Sequence, residues 1–555
     1  MPDLGGAAEG DEAVAVADSR GTGLDLAGYT LADGEGAWTF PAGSRAGPGE
    51  VAWIVGNATA WAERGGAAPM AAWQGAGVPR LGNGGDDVLL LDPAGHVVDA
   101  FAYGDGATAG MAGSVGYTSP DLVYTRLREG GLWRDTDDAG DWRTPRPHRV
   151  GESDLGAPTF MVEALTLYAS PDSSFSVLRQ MLASAEARVQ LHVYELRSHA
   201  LADLLVDAKA RRPDLDLRVL VEDRPVGQEH RERSETAGQL QRIIDAGGDA
   251  VLAQRGRYAY HHLKVLVVDD AVAVQSENWV PSGVPKDPSW GNRGWGVVVH
   301  DADVADWMAA WMAADRTAWD AHAFDLASFD PLYDPQPRFH ARAGEYGPVV
   351  PAQRIEGRFL LRPVVGPDAV HDPRHDPVAA LVRSAERRVL AQQLDLSTES
   401  GNPLGWRGDD ALLAALAATS AADVRVLAAA PFSADDTGNE VAIGWLGGQA
   451  SGIDARLLDR PGIATLHNKG LVVDDAVVVG SINGNHHSRS MNREAALIVH
   501  APEAAAYFAA LFESDWAGAP SPRDPRVIPD DLEAMPSALW PSLLVVALLA
   551  AARRR

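Results

Sequence analysis

Residues 157–517 hold two copies of one pattern. Ala185-Glu-Ala-Arg-Val189 returns as Ala385-Glu-Arg-Arg-Val389. Each copy leads an apolar run, 190–194 or 390–394, that ends on a carboxylate, Glu195 or Asp395. Asp216-Leu-Arg-Val-Leu220 matches Asp423-Val-Arg-Val-Leu427, Asn292-Arg293 matches Asn492-Arg493, and Val299-His300 matches Val499-His500. Helical stretches lie between these runs at 174–184, 200–210 and 411–419, and a helix of similar pattern closes each half near 303–320 and 502–516. Strands that alternate with helices build a sheet with crossover connections. Two copies therefore imply two pseudo-symmetric α/β lobes about a twofold axis, 157–330 and 340–517, joined through the Pro- and Gly-rich segment 331–356.

The same polar residues recur inside both copies. The first holds His262, Lys264, Asp269, Ser276 and Asn278; the second holds His467, Lys469, Asp474, Ser481 and Asn483, at identical spacing. Only four of the 48 basic residues are Lys, and two of those four stand at this matched position. A single His-x-Lys is weak evidence, since a strand with polar surface residues produces it too. Two copies in register within an independently detected repeat are not. Residues two apart on a strand share a face, so His and Lys are expected to project together. The Val-rich runs that follow turn at Asp269-Asp270 and Asp474-Asp475 and return Ser and Asn to the same end. Across a twofold axis, two His, two ammonium groups and two amides form a pocket suited to the pentacovalent transition state of a phosphodiester.

The pattern resembles the duplicated HKD motif of the phospholipase D superfamily, and the resemblance spans 157–517. It implies a two-step transfer without metal or other cofactor. One His attacks phosphorus; the other protonates the leaving oxygen and then activates water or an alcohol. Carried over, His262 is the nucleophile and His467 the general acid/base, although the sequence leaves the reverse open. Lys264, Lys469, Asn278 and Asn483 hold the phosphate oxygens, and Asp269, Asp474, Ser276 and Ser481 support the turns. Three departures break the symmetry. Gln275 stands where the family has Gly, Gly294 stands where the second half has Glu494, and the loop 279–291 is five residues longer than 484–491. Glu494 reads either as an orienter of a His or as a surface carboxylate. His261 is expected on the opposite face from His262. His486 and His487 lie near the predicted mouth, in contact with substrate or with solvent. His371 and His375 lack further ligands at metal spacing. Trp279, Trp290 and Trp295 either meet an interface or pack.

Residues 1–148 are Gly-rich, with strand-like runs at 12–17, 51–55, 88–91 and 97–101 between turns such as Asp33-Gly34, the pattern of a small immunoglobulin-like β-sandwich. Leu24–Asp33, Trp38–Gly43, Leu81–Leu90 and Gly95–Tyr103 resemble the lamin-tail domain over residues 12–145. That family opens with one more strand, and Met1-Pro-Asp-Leu-Gly-Gly has neither the basic nor the apolar part of a signal peptide. Both features lead us to expect sequence missing before Met1. At the other end, 518–536 reads as a Pro/Asp-rich linker, and 537–552 is continuously apolar before Arg553-Arg554-Arg555. That segment reads as a C-terminal membrane anchor with the bulk of the chain outside the cell, or otherwise as a buried terminal helix.

The net charge of −28 excludes a bulk basic nucleic-acid binder, and the absence of Cys excludes thiolate chemistry. Acid excess with scarce Lys fits proteins of salt-loving archaea, where salt screens charge beyond about 3 Å; an Ala/Gly/Arg-rich genome gives a similar composition. The expected function is a phosphodiesterase at the cell surface, working as a monomer on phospholipid head groups. The alternatives are an extracellular endonuclease of the same mechanism and a surface-binding protein without activity.

Overall fold

The computed structural model describes residues 12–519 except 19–21, 49, 64–67, 74, 83, 117–121, 130–131, 143–145, 148–157, 229, 254–257, 317–320, 324–344, 348, 371–375, 397–410, 432–437 and 449–451. Residues 520–536 of the expected linker, the expected anchor, and His371 and His375 lie outside the described residues, while Gly518 ends the helix Pro502–Gly518. Among those described, no helix is long and apolar enough to cross a membrane.

Both halves of the repeat contribute to one sheet. Its order from edge to edge is 321–323, 249–253, 216–222, 188–193, 264–268, 271–275, 291–300, 160–170, 353–366, 494–500, 476–480, 471–473, 388–393, 423–429 and 454–458. Apart from strand 321–323, the order mirrors itself about the central antiparallel pair 160–170 and 353–366. Strand 321–323 pairs antiparallel with 249–253; inside it, the three outer strands of each lobe run parallel and those nearer the centre antiparallel. Strands buried on both faces read as unbroken β-branched runs. Val265-Leu-Val-Val268 and Val477-Val-Val479 are such runs, and all of their residues are buried.

Helices cover both faces. Ser174–Ala183, His199–Arg211 and His230–Asp245 enclose a core in the first lobe, and Pro377–Arg383, Ala411–Ala418 and Gly438–Gly447 enclose its counterpart in the second. The closing helices Ala302–Ala314 and Pro502–Gly518 share a central core drawn from both lobes. There Trp295 of the first lobe stacks on Phe508 of the second, with ring centroids 4.7 Å apart. Asp301 caps one closing helix by accepting the Val304 N–H, which satisfies an amide the helix cannot.

The N-terminal region is built mainly from short strands, including a four-stranded sheet ordered 37–39, 30–32, 85–91, 97–104 and a three-stranded sheet ordered 13–17, 51–55, 71–72. Gly34 has φ of 81°, which the turn after Asp33 requires and a side chain would resist. The Asp33 carboxylate accepts the N–H of Glu35 and of Gly36 across that turn.

Two of the tryptophans considered for an interface are core residues. Trp279 and Trp295 are 1% and 0% exposed, so burial removes them from any membrane contact. Trp295 belongs to strand Gly291–His300 rather than to the loop, and Trp290 is half-buried.

Candidate active site

Each conserved-spacing histidine is fastened by its backbone to the opposite lobe. The His262 N–H donates to the Arg493 carbonyl at 2.9 Å, and the His467 N–H donates to the Arg293 carbonyl at 2.9 Å. Strand Ile463–Leu466, just before His467, pairs in parallel with strand Gly291–His300, and His261 forms the equivalent bridge with Arg493. The first lobe thus carries its His into the second, and the reverse. Neither motif His lies on a regular strand. Strand Lys264–Val268 begins two residues after His262, and His467 and Lys469 span the gap between 463–466 and 471–473.

The expected convergence of His and Lys is present in each set. Lys264 Nζ donates to the His262 carbonyl at 2.9 Å, and Lys469 Nζ donates to the His467 carbonyl at 2.6 Å. Both lysines are almost fully buried, at 1% and 2% exposed. Burial pushes the Lys264 ammonium well below the usual lysine range; Lys469 lowers it further, against Glu494, Glu195 and Glu277. Burial brings Lys469 down to about 8.

His262 Nδ1 lies 2.9 Å from Glu494 Oε2. Glu494 is completely buried and accepts hydrogen bonds from Ser481 Oγ, Ser488 Oγ and Asn492 Nδ2. Burial alone would raise its carboxyl, but His262, Lys264 and Ser481 hold it below the ordinary value. Burial drives the His262 pKa down to about 3, with Lys264 and Lys469 adding to the effect and Glu494 opposing it. A carboxylate at Nδ1 fixes the tautomer that leaves the Nε2 lone pair free. The Tyr194 ring meets the His262 ring edge-on at 4.6 Å.

His467 has a different neighbourhood. Its Nδ1 lies 3.1 Å from Lys469 Nζ and 3.4 Å from Glu277 Oε2. Burial and Lys469 lower its pKa while Glu277 raises it. Asn278 donates Nδ2 to Glu195 Oε1 at 3.0 Å, which orients its amide, and Asn483 is buried beside Ser488.

Asp269 and Asp474 lie at the far end of the strands. Asp269 accepts the N–H groups of Glu186, Ala187 and Arg188, and Asp474 those of Glu386, Arg387 and Arg388, all at 2.8–3.0 Å. Ser276 and Ser481 accept the N–H of Trp295 and Ala495, each at 3.1 Å. These four residues brace the motif from behind. His261 is buried with its N–H on Glu222, away from the His262 ring contacts. His487 sits half-buried against Tyr260, with ring centroids 5.7 Å apart. Glu277 was not among the residues singled out from the motif, yet an acid in place of Ile482, in the half that lacks Glu494's equivalent, was a visible signal.

A family model described as cardiolipin synthase, PLD-like domain, matches residues 178–316 and 392–516, one stretch in each lobe. The two lobes carry the PLD-like domain of the phospholipase D superfamily. The crystal structure of phosphatidylserine synthase from Haemophilus influenzae Rd KW20 superposes with a TM-score of 0.51 at 14% identity, over 71% of this chain and 96% of that one, a likeness of fold. The phospholipase D family member Nuc from Salmonella typhimurium is 18% identical over 29% of this chain and 99% of its own, with a TM-score of 0.25. NucT from Helicobacter pylori is 15% identical over 30% of this chain and 100% of its own, with a TM-score of 0.23. No curated protein matches the chain. Within this phospholipase D-like pair of lobes, His262 and the motif Lys, Ser and Asn residues are buried, His467 is half-buried, and the two motif Asp residues are hydrogen-bonded to neighbouring backbone.

Proposed function

We propose that this protein is a phosphodiesterase that works through a phosphohistidine at His262 and acts on phospholipid head-group diesters. The observation that carries the reading is the 2.9 Å contact between His262 Nδ1 and Glu494, which holds the tautomer whose Nε2 lone pair is free to attack. In the first step Nε2 bonds to phosphorus and the bond to the leaving oxygen breaks, with His467 Nε2 giving that oxygen its proton. In the second step water gives a proton to His467 and its oxygen bonds to phosphorus as the N–P bond breaks. Lys264, Lys469, Asn278 and Asn483 hold the non-bridging oxygens, where fixed donors in a water-poor site act most strongly.

The lipid assignment is supported by the name of the phosphatidylserine synthase with the same fold and by the apolar C-terminal segment read as an anchor. The acidic net charge of −28 weighs against a polyanionic substrate at low salt. The N-terminal region serves as a lamin-tail-like accessory module outside the cell. The test is turnover of a phospholipid diester in high salt with EDTA, for wild type, His262→Ala and His467→Ala, alongside single-stranded DNA. Metal-independent lipid turnover lost in both variants is expected. Abolition by EDTA would refute the mechanism, and cleavage of DNA in preference to vesicles would transfer the assignment to a nuclease.

A further inference from the structure

The two lobes solve the orientation of their partner's histidine with different residues. In the second lobe the carboxylate comes from strand Glu494–His500. The equivalent position in the first lobe is Gly294, and a Cβ there would lie 2.1 Å from Glu277 Oε1 and 2.5 Å from Ser276 Oγ. The space is already filled by Glu277, which arrives from the turn between Ser276 and Asn278 and is 2% exposed. Asn292 Nδ2 donates to Glu277 Oε2 at 3.2 Å, as Asn492 Nδ2 does to Glu494 Oε1.

Further exchanges support this one. Gln275 Nε2 donates to the Glu277 carbonyl at 2.8 Å, and Gln275 Oε1 accepts from the Tyr168 hydroxyl at 2.9 Å. A Cβ at Gly296 would lie 2.1 Å from the Tyr168 ring, so Gly296 makes room for that tyrosine. The second lobe has Gly480, Ile482, Val364 and Ala496 at these places. The set Tyr168, Gln275, Glu277, Gly294 and Gly296 is therefore one linked substitution that seats a carboxylate from a new backbone position.

We infer that Glu277 is the positioning residue for His467, accepting its Nδ1–H at 3.4 Å when the ring is charged and so directing Nε2–H to the leaving oxygen. The inference rests on the phosphohistidine reading and adds to it a specific source for the second ring's orientation. The resting contact with Lys469 loosens when that ammonium turns to the phosphate, and Glu277 is the acceptor that remains.

The test uses the full chain with two diesters, one with an alkyl and one with a 4-nitrophenyl leaving group. Nitrophenolate departs without a proton, so its burst reports attack by His262 alone, while steady turnover still needs His467 to activate water. Glu277→Gln is expected to keep the burst rate within about threefold and to lower steady turnover of both esters about 10- to 100-fold, with the KM of the nitrophenyl ester falling alongside its kcat. Glu277→Ile with Gly294→Glu, which copies the second lobe, is expected to restore most of the loss. Equal loss of burst and turnover in Glu277→Gln together with failure of the double variant, or unchanged turnover in Glu277→Gln while His262→Ala is dead, would overturn the inference and leave the phosphohistidine intact. A burst retained in His262→Ala would overturn the underlying reading instead.

Discussion

His262 and His467 occupy matched positions, yet one faces a fully hydrogen-bonded carboxylate and the other faces an ammonium and a more loosely held one. That difference supports the division of labour into nucleophile and acid/base. Burial also brings Lys469 into the range where it is expected to titrate. Its ammonium, lowered to about 8 by burial, is charged below that pH and neutral above it. The capacity to hold a phosphate oxygen is then present on the acid side and lost as pH rises. We predict that kcat/KM, which follows the free enzyme, falls as pH rises through about 8, and that Lys469→Arg removes this limb while keeping measurable activity. An unchanged limb in the arginine variant would contradict the assignment. The motif residues were legible because their spacing repeats. Glu277 was not read, since its partner His467 lies 190 positions away and only the folded chain shows that Gly294 vacates the space.

At the level of elements, the turns behind the motif have a stabilising role that separates from chemistry. Asp269 and Asp474 adopt φ of 47° and 52°, and each ties three N–H groups at the start of a neighbouring strand. Asp474→Ala is expected to cost about 2–3 kcal/mol of unfolding free energy in a urea titration, from lost charge-assisted hydrogen bonds, with kcat little changed. A collapse of kcat at unchanged stability would place Asp474 in the chemistry instead. The strand–helix alternation was readable from periodicity, and helices are present at the expected 174–184, 200–210, 411–419 and 502–516, whereas His230–Asp245, Pro377–Arg383 and Gly438–Gly447 were not picked out. What periodicity missed is that His262, His467 and Lys469 occupy links between strands. Their geometry comes from hydrogen bonds to the other lobe, which no local pattern encodes.

At the scale of the whole molecule, the two lobes are joined by a reciprocal clasp. Arg293 pairs with Asp172 at 2.6 Å and with Asp515 on the second lobe's closing helix at 2.8 Å. Arg493 pairs with Asp368 at 2.9 Å and with Asp315, just past the first lobe's closing helix, at 2.7 Å. The same two arginines offer the carbonyls that anchor His467 and His262. Removing one partner strands buried charge, so Arg293→Ala is predicted to lower stability by about 3–5 kcal/mol, measured by denaturant unfolding, and to abolish turnover. Stability within about 1 kcal/mol of wild type would show that the clasp is not what joins the lobes. The twofold arrangement was legible from the repeat, while the crossing of each histidine into the opposite lobe emerged only from the sheet order. The most direct test of the central claim is to quench turnover rapidly in base, where phosphohistidine survives, and map the adduct by peptide mass spectrometry. The account predicts a phosphorus adduct on His262, absent from His262→Ala and accumulating in His467→Ala with an activated diester. An adduct on His467, or turnover with no adduct on either ring, would contradict it.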